Sequence, residues 1–170
     1  MVALKSKAIR GIGPAIIAIS ANTLMLKQAQ RFGIAAESGG LLKLHVIYLG
    51  PLLHRIGADA VWQSLHLPGL QSLWFWLGFH YATGLAMAFI YIYVLEPILP
   101  GGGFLKGSLF SLLPWALNSL GVLPLLGQGV LGRNKLTVGG MVYFFAANWL
   151  FGALLGVFYA RGIRSRSEEK

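Results

Sequence analysis

His80 has the widest chemical range of any residue in this chain. It stands in LQSLWFWLGFHYATGLAMAFIYIYVLEPILP, Leu70 to Pro100, where no formal charge occurs between Leu73 and Leu95. An imidazole in such surroundings can relay a proton, ligate haem or (bacterio)chlorophyll, or hold a substrate. Trp74, Trp76 and Tyr81 would flank a ring bound there. The alternative is a neutral histidine bonded to Asn118, Asn148 or a backbone carbonyl. No second histidine falls in a long apolar stretch, which removes bis-histidine haem. No cofactor is therefore expected, with haem or (bacterio)chlorophyll on His80 as the exception to test.

The other residues able to do chemistry are few. His45, His54 and His66 match no zinc spacing, and there is no cysteine to supply a thiolate, a nucleophile or a disulfide. No nucleophile elbow, phosphate loop or paired acids occur, and two of the five acidic residues are Glu168 and Glu169 near the C-terminus. The chain reads as non-enzymatic. Glu96 can pair with Lys106 across a turn, and Asp59 with Arg55 one helical turn back. What remains is a set of polar side chains, at least one per apolar stretch: Asn22 and Thr23, His80, Asn118, Asn148. An unpaired amide or imidazole in hydrocarbon costs several kcal/mol, so these groups should turn inward and form one polar cluster. Ser111, Pro114, Asn118, Gly121 and Gln128 share a stripe on their helix, and Ser20, Thr23 and Lys27 share another.

The elements that must position these groups are membrane helices. The chain of 170 residues is 56% hydrophobic and 11% charged, with a mean hydropathy of +0.67, outside the usual soluble range. A single transmembrane domain with four spans is expected, at about 11–27, 72–97, 104–131 and 136–160. The basic start followed by GIGPAIIAIS is read as an uncleaved first span, because the apolar run continues through Leu26. Pro114 and Pro124 should kink the third span. Residues 34–69 form the polar connection, broken at Glu37-Ser38-Gly39-Gly40 and Gly50-Pro51, and should lie as interfacial or re-entrant helices; a fifth span over Leu41–Ile56 is the competing topology. The tail from Arg161 should be mobile.

The net charge of +9 does not mark a nucleic-acid binder, because the basic residues sit beside apolar spans and form no stripe on a soluble surface. With four spans, Lys5, Lys7, Arg10, Lys106, Arg161, Arg164, Arg166 and Lys170 share one side. Lys27, Arg31, Lys43, Arg55, Arg133 and Lys135 share the other. The first side is richer, which makes both termini cytoplasmic in a bacterial inner membrane. The bilayer is the first partner, and other membrane-protein subunits or a second copy are the next.

An internal pattern bears on packing. His80-Tyr81-Ala82-Thr83-Gly84 with Ala88 and Tyr91 matches Asn148-Trp149-Leu150-Phe151-Gly152 with Gly156 and Tyr159. The match suggests two helical hairpins repeated about an axis along the membrane normal. Gly84 with Ala88, and Gly152 with Gly156, are four apart and open grooves where another backbone can approach. An accessory or scaffold subunit packing through these faces is the functional expectation. A transporter or proton/solute pathway lined by His80, Asn118 and Asn148 is one rival, and a haem- or chlorophyll-binding subunit the other.

FHYATGLAMAFIYIYVLEPILP followed by GSLFSLLPWALNSLGVLPLLG resembles the small YagU-like inner-membrane proteins of bacteria. The likeness lies in His80, Gly84, Tyr91, Pro97, Gly107, Trp115 and Pro124, and covers roughly Trp74 to Gly127. It implies a four-helix membrane protein and no established reaction or ligand. The last helix of that pattern often opens with histidine, where this chain has Asn148.

Overall fold

Length and composition give four helices able to cross a membrane, and the chain is an all-α, multi-pass membrane protein. A computed structural model describes residues 2–35 and 40–164. Helix α1, Val2–Arg31, contains the first span, Lys7–Ala29. After the connection, α2 (Gly40–Arg55) and α3 (Ala58–Ser64) lead to α4, Leu73–Ile90, which finishes in a π-helical turn, Tyr91–Leu95. Helix α5, Gly103–Ala116, widens into a π segment, Leu117–Val122, and closes as the short α6, Leu123–Leu125. A 3-10 turn, Val130–Gly132, precedes α7, Val138–Arg164.

Local chemistry sets these limits. Ser72 caps α4 by accepting from the Phe75 amide at 3.1 Å. The basic residues before Gly11 continue α1 as helix. The third span stops at Leu125, short of the expected residue 131, because Leu126 leaves helical geometry and Gly127 and Gly129 take positive φ. Neither proline stops the ladder outright: Pro114 is followed by the widened π turns, where bonds reach five residues back, as from Leu123 N–H to Asn118 O. At the end of α4, Lys106 Nζ donates to Glu96 Oε1 at 2.9 Å and to the Glu96 carbonyl at 2.6 Å, tying α5 to the turn. Asp59, in the first turn of α3, pairs with His54 near the end of α2, not with Arg55, and both partners are exposed. The break expected at Glu37-Ser38-Gly39 and the last six residues of the tail lie outside the described residues.

Helices α1 and α4 form one antiparallel hairpin, α5 and α7 the other, and α1 lies on α7 between them. The core runs through Ala15, Ala18, Ile19, Ala88, Tyr91, Ile92, Phe110, Phe151, Leu155 and Tyr159. Large apolar side chains outside it, such as Ile16, Leu24, Leu112 and Val142, face outward, as lipid-facing positions do. The hairpins also keep the same register. Gly11 meets Ile92 where Gly103 meets Ala160, and Ile19 meets Gly84 where Ser111 meets Gly152. Each correspondence uses the shift that superposes α1 on α5 and α4 on α7.

The α5–α7 seam is made of bare backbone. A Cβ added at Gly103, Gly107, Gly152 or Gly156 would fall within 3.0 Å of a carbonyl on the facing helix. Gly152 and Gly156 therefore pack on Gly103 and Gly107 of the same chain, and Gly84 receives Ile19 of α1, whose Cγ1 would lie 2.5 Å from an added Cβ. The grooves read as open to partners are filled from within. The signal for the partner face was the spacing Gly103, Gly107, Ser111, hidden because Gly101-Gly102-Gly103 reads as a turn.

Candidate functional site

The two hairpins do not close against each other along their whole length. Helix α5 meets the second span through its final turn, where Tyr91 packs on Phe110 with ring centroids 5.1 Å apart. Toward the opposite end α4 and the π segment after α5 splay apart. The gap is a cavity of about 340 Å³, lined by all four spans and by Gly40–Leu42 at the start of α2.

Asn22, His80, Asn118 and Asn148 all line this cavity, together with Thr83, Pro114 and Gly121. Thr23 is buried beside it and bonds the Ile19 carbonyl of its own helix at 2.8 Å. The amides are brought together without bonding one another. Asn22 Nδ2 donates across to the Ala147 carbonyl of α7 at 2.8 Å. Asn148 Nδ2 donates to Phe144 O at 2.8 Å and Asn118 Nδ2 to Pro114 O at 2.9 Å, each one turn back. A backbone carbonyl already faces each amide, so pairing between side chains is unnecessary. This leaves the three amide oxygens without a hydrogen-bond donor among the described residues.

His80 takes neither amide as partner. Its ring lies flat on Trp76, centroids 5.2 Å apart and planes within 7°. The aromatics expected around a cofactor are dispersed: Trp74 is 73% exposed, Tyr81 bonds Ser20 at 2.7 Å, and Trp76 covers the imidazole itself. Among the described residues no cluster of three His, Cys, Asp or Glu could hold a metal. Of the helix-packing residues, Gly84 borders the cavity, Ala88 is in the core, and Gly152 and Gly156 are on the α5–α7 seam.

The floor is closed by Ile19, Met87 and Phe151, below which Tyr91, Phe110, Leu155 and Tyr159 fill the core. At the other end the cavity shares Leu26, Leu42 and Trp76 with a wider groove of about 790 Å³. Lys27, Lys43, Lys135, Gln71, Ser72 and Gln128 give that groove its polar wall. Sequence reasoning missed this groove, because its lysines come from three separate elements, α1, α2 and the turn before α7. The contacts of α2 and α3 gather at the same end: His45 on Phe79, Tyr48 to the Leu125 carbonyl at 3.0 Å, and Trp62 on Phe75.

Fold and site together define a four-span helical membrane protein with a mostly apolar central cavity, blind at one end. Comparison with known proteins adds no relative: no family model, no curated protein and no solved structure matches the chain.

Proposed function

We propose that this chain is a non-enzymatic membrane protein that holds a small, largely apolar molecule in its central cavity. The observation that carries the reading is the convergence of Asn22, His80, Asn118 and Asn148 on one void of about 340 Å³, within the range of small-molecule pockets. Its wall is otherwise mostly apolar, and the amide oxygens, which meet no donor among the described residues, offer acceptors to a ligand's polar end. The packed core beneath it favours a binding site over a continuous pathway. The accessory-subunit reading loses its main support, since the glycine faces meant for a partner are occupied within the chain.

Gly121 provides the test. It lines the cavity, and a Cβ there would meet nothing within 4 Å. Gly121→Leu should fill the void without loss of thermal stability. Small molecules extracted from the purified proteins and weighed by mass spectrometry should include a species present in the wild type and depleted in the variant. Identical small-molecule content in the two would refute the reading.

The surplus of basic residues on the side of the termini supports cytoplasmic termini in a bacterial inner membrane, with the groove and the 34–69 connection on the opposite face. With no native cysteine to remove, single cysteines at positions 56, 101 and 135 report this directly. Positions 56 and 135 should react with an impermeant maleimide applied outside spheroplasts, and position 101 should not. The reverse pattern would invert the orientation.

A further inference from the structure

The central cavity and the groove beside it are one continuous site with two chemistries. The cavity is a blind apolar void whose mouth is Leu26, Leu42 and Trp76. The same three residues form the inner wall of the groove, where Lys27, Lys43 and Lys135 arrive from the end of α1, from α2 and from the turn before α7. Lys27 stands with its ammonium 5.7 Å from the Trp76 ring centroid, directly at the mouth. Among the described residues no acidic side chain lines the groove. Gln128, only 3% exposed, also lines it, and its Oε1 has no hydrogen-bond partner among the described residues.

We infer that the ligand is a single-tailed anionic amphipath: its alkyl chain fills the cavity, and its phosphate or carboxylate head sits between Lys27 and Lys135. This rests on the cavity reading above and adds the charge of the head. An alkyl chain suits the apolar cavity wall. The ammonium groups of Lys27 and Lys135, at the end of the bundle where the spans leave the hydrocarbon, attract an anion at the depth where lipid headgroups lie. The Gln128 Oε1 accepts a hydrogen from a head that carries a hydroxyl, as a phosphate monoester or a glycerol-bearing head does. The tail reaches the cavity past Trp76, and Lys27 exchanges its ring contact for the anion as it enters.

Equilibrium binding to the full chain in amphipol tests this with three radiolabelled or competing probes: dodecyl phosphate, dodecanol and inorganic phosphate. Dodecyl phosphate should bind more tightly than dodecanol. The double variant Lys27→Gln, Lys135→Gln should weaken dodecyl phosphate by roughly thirtyfold and leave dodecanol unchanged, as two near-surface cations predict. Gly121→Leu should weaken both. Laurate in place of dodecyl phosphate separates the two anionic heads; tighter binding of the phosphate that disappears in Gln128→Leu would assign the hydroxyl contact. Equal binding of dodecanol and dodecyl phosphate, insensitive to the lysines, would overturn the anionic head while the cavity reading stands. Full competition by inorganic phosphate, with no effect of Gly121→Leu, would overturn the amphipath in favour of a free anion. Failure of every alkyl probe to bind would overturn both readings.

Discussion

Consider a single methyl group added at Gly107. It would lie within 3.0 Å of the Gly152 carbonyl oxygen and carbon, and 3.0 Å from the Gly156 Cα. All three are backbone atoms, so no side chain can rotate away, and the helices themselves must separate. A gap of 0.5–1 Å forfeits a quarter to a half of each atom-pair attraction, which over on the order of twenty pairs comes to about 0.5–2 kcal/mol. Overpacking of rigid sites generally costs about 1–3 kcal/mol. Replacing glycine by alanine also favours helix, by about 0.8–1 kcal/mol, so the steric cost must be isolated. Gly78→Ala does this, because it sits in α4 with nothing within 4 Å of an added Cβ. Reversible unfolding in mixed dodecyl maltoside and SDS micelles, followed by circular dichroism, should place Gly107→Ala about 1–3 kcal/mol below Gly78→Ala. Agreement of the two within about 0.5 kcal/mol would show that α5 and α7 do not meet backbone to backbone.

Two further predictions use the same unfolding assay. Asn22→Leu removes the only side-chain amide donating from α1 to α7 among the described residues and should cost about 0.6–1.7 kcal/mol, whereas Thr23→Val, which loses a bond within its own helix, should cost less than about 0.5 kcal/mol. Glu96→Gln should cost about 1–2 kcal/mol by leaving the half-buried Lys106 ammonium short of its counter-charge, and adding Lys106→Met should recover part of that loss.

What could be read from the residues alone follows from which interactions are local. Four spans are legible because hydropathy over about 20 residues depends on no neighbour. The inward set of Asn22, His80, Asn118 and Asn148 is legible for the same reason, since a lone polar group in each span has nowhere else to go. Their partners were not. A side-chain amide has as many backbone carbonyls within reach as side chains, and the choice is made by helix register. The π segment at Leu117–Val122 illustrates the limit: Pro114 announces a disturbance, but whether the helix kinks or widens depends on what packs beside it. The groove is the clearest omission. Lys27, Lys43 and Lys135 look like ordinary flanking charges until the fold brings the end of α1, α2 and the turn before α7 to one end of the bundle.

The matching register of the two hairpins conceals a mechanical difference. In one, glycine backbones lie against glycine backbones, and 44% of the α7 span is buried. In the other, Ile19 is wedged against Gly84, and only 17% of the α4 span is buried, with α5 touching it chiefly at the Tyr91–Leu95 turn. The α5–α7 hairpin is thus the more tightly packed half, and α4 is the least buried of the four spans. A small tilt of α4 about that turn would change the width of the mouth beside Trp76 most and the core around Tyr159 least, leaving the glycine seam of α5 and α7 untouched.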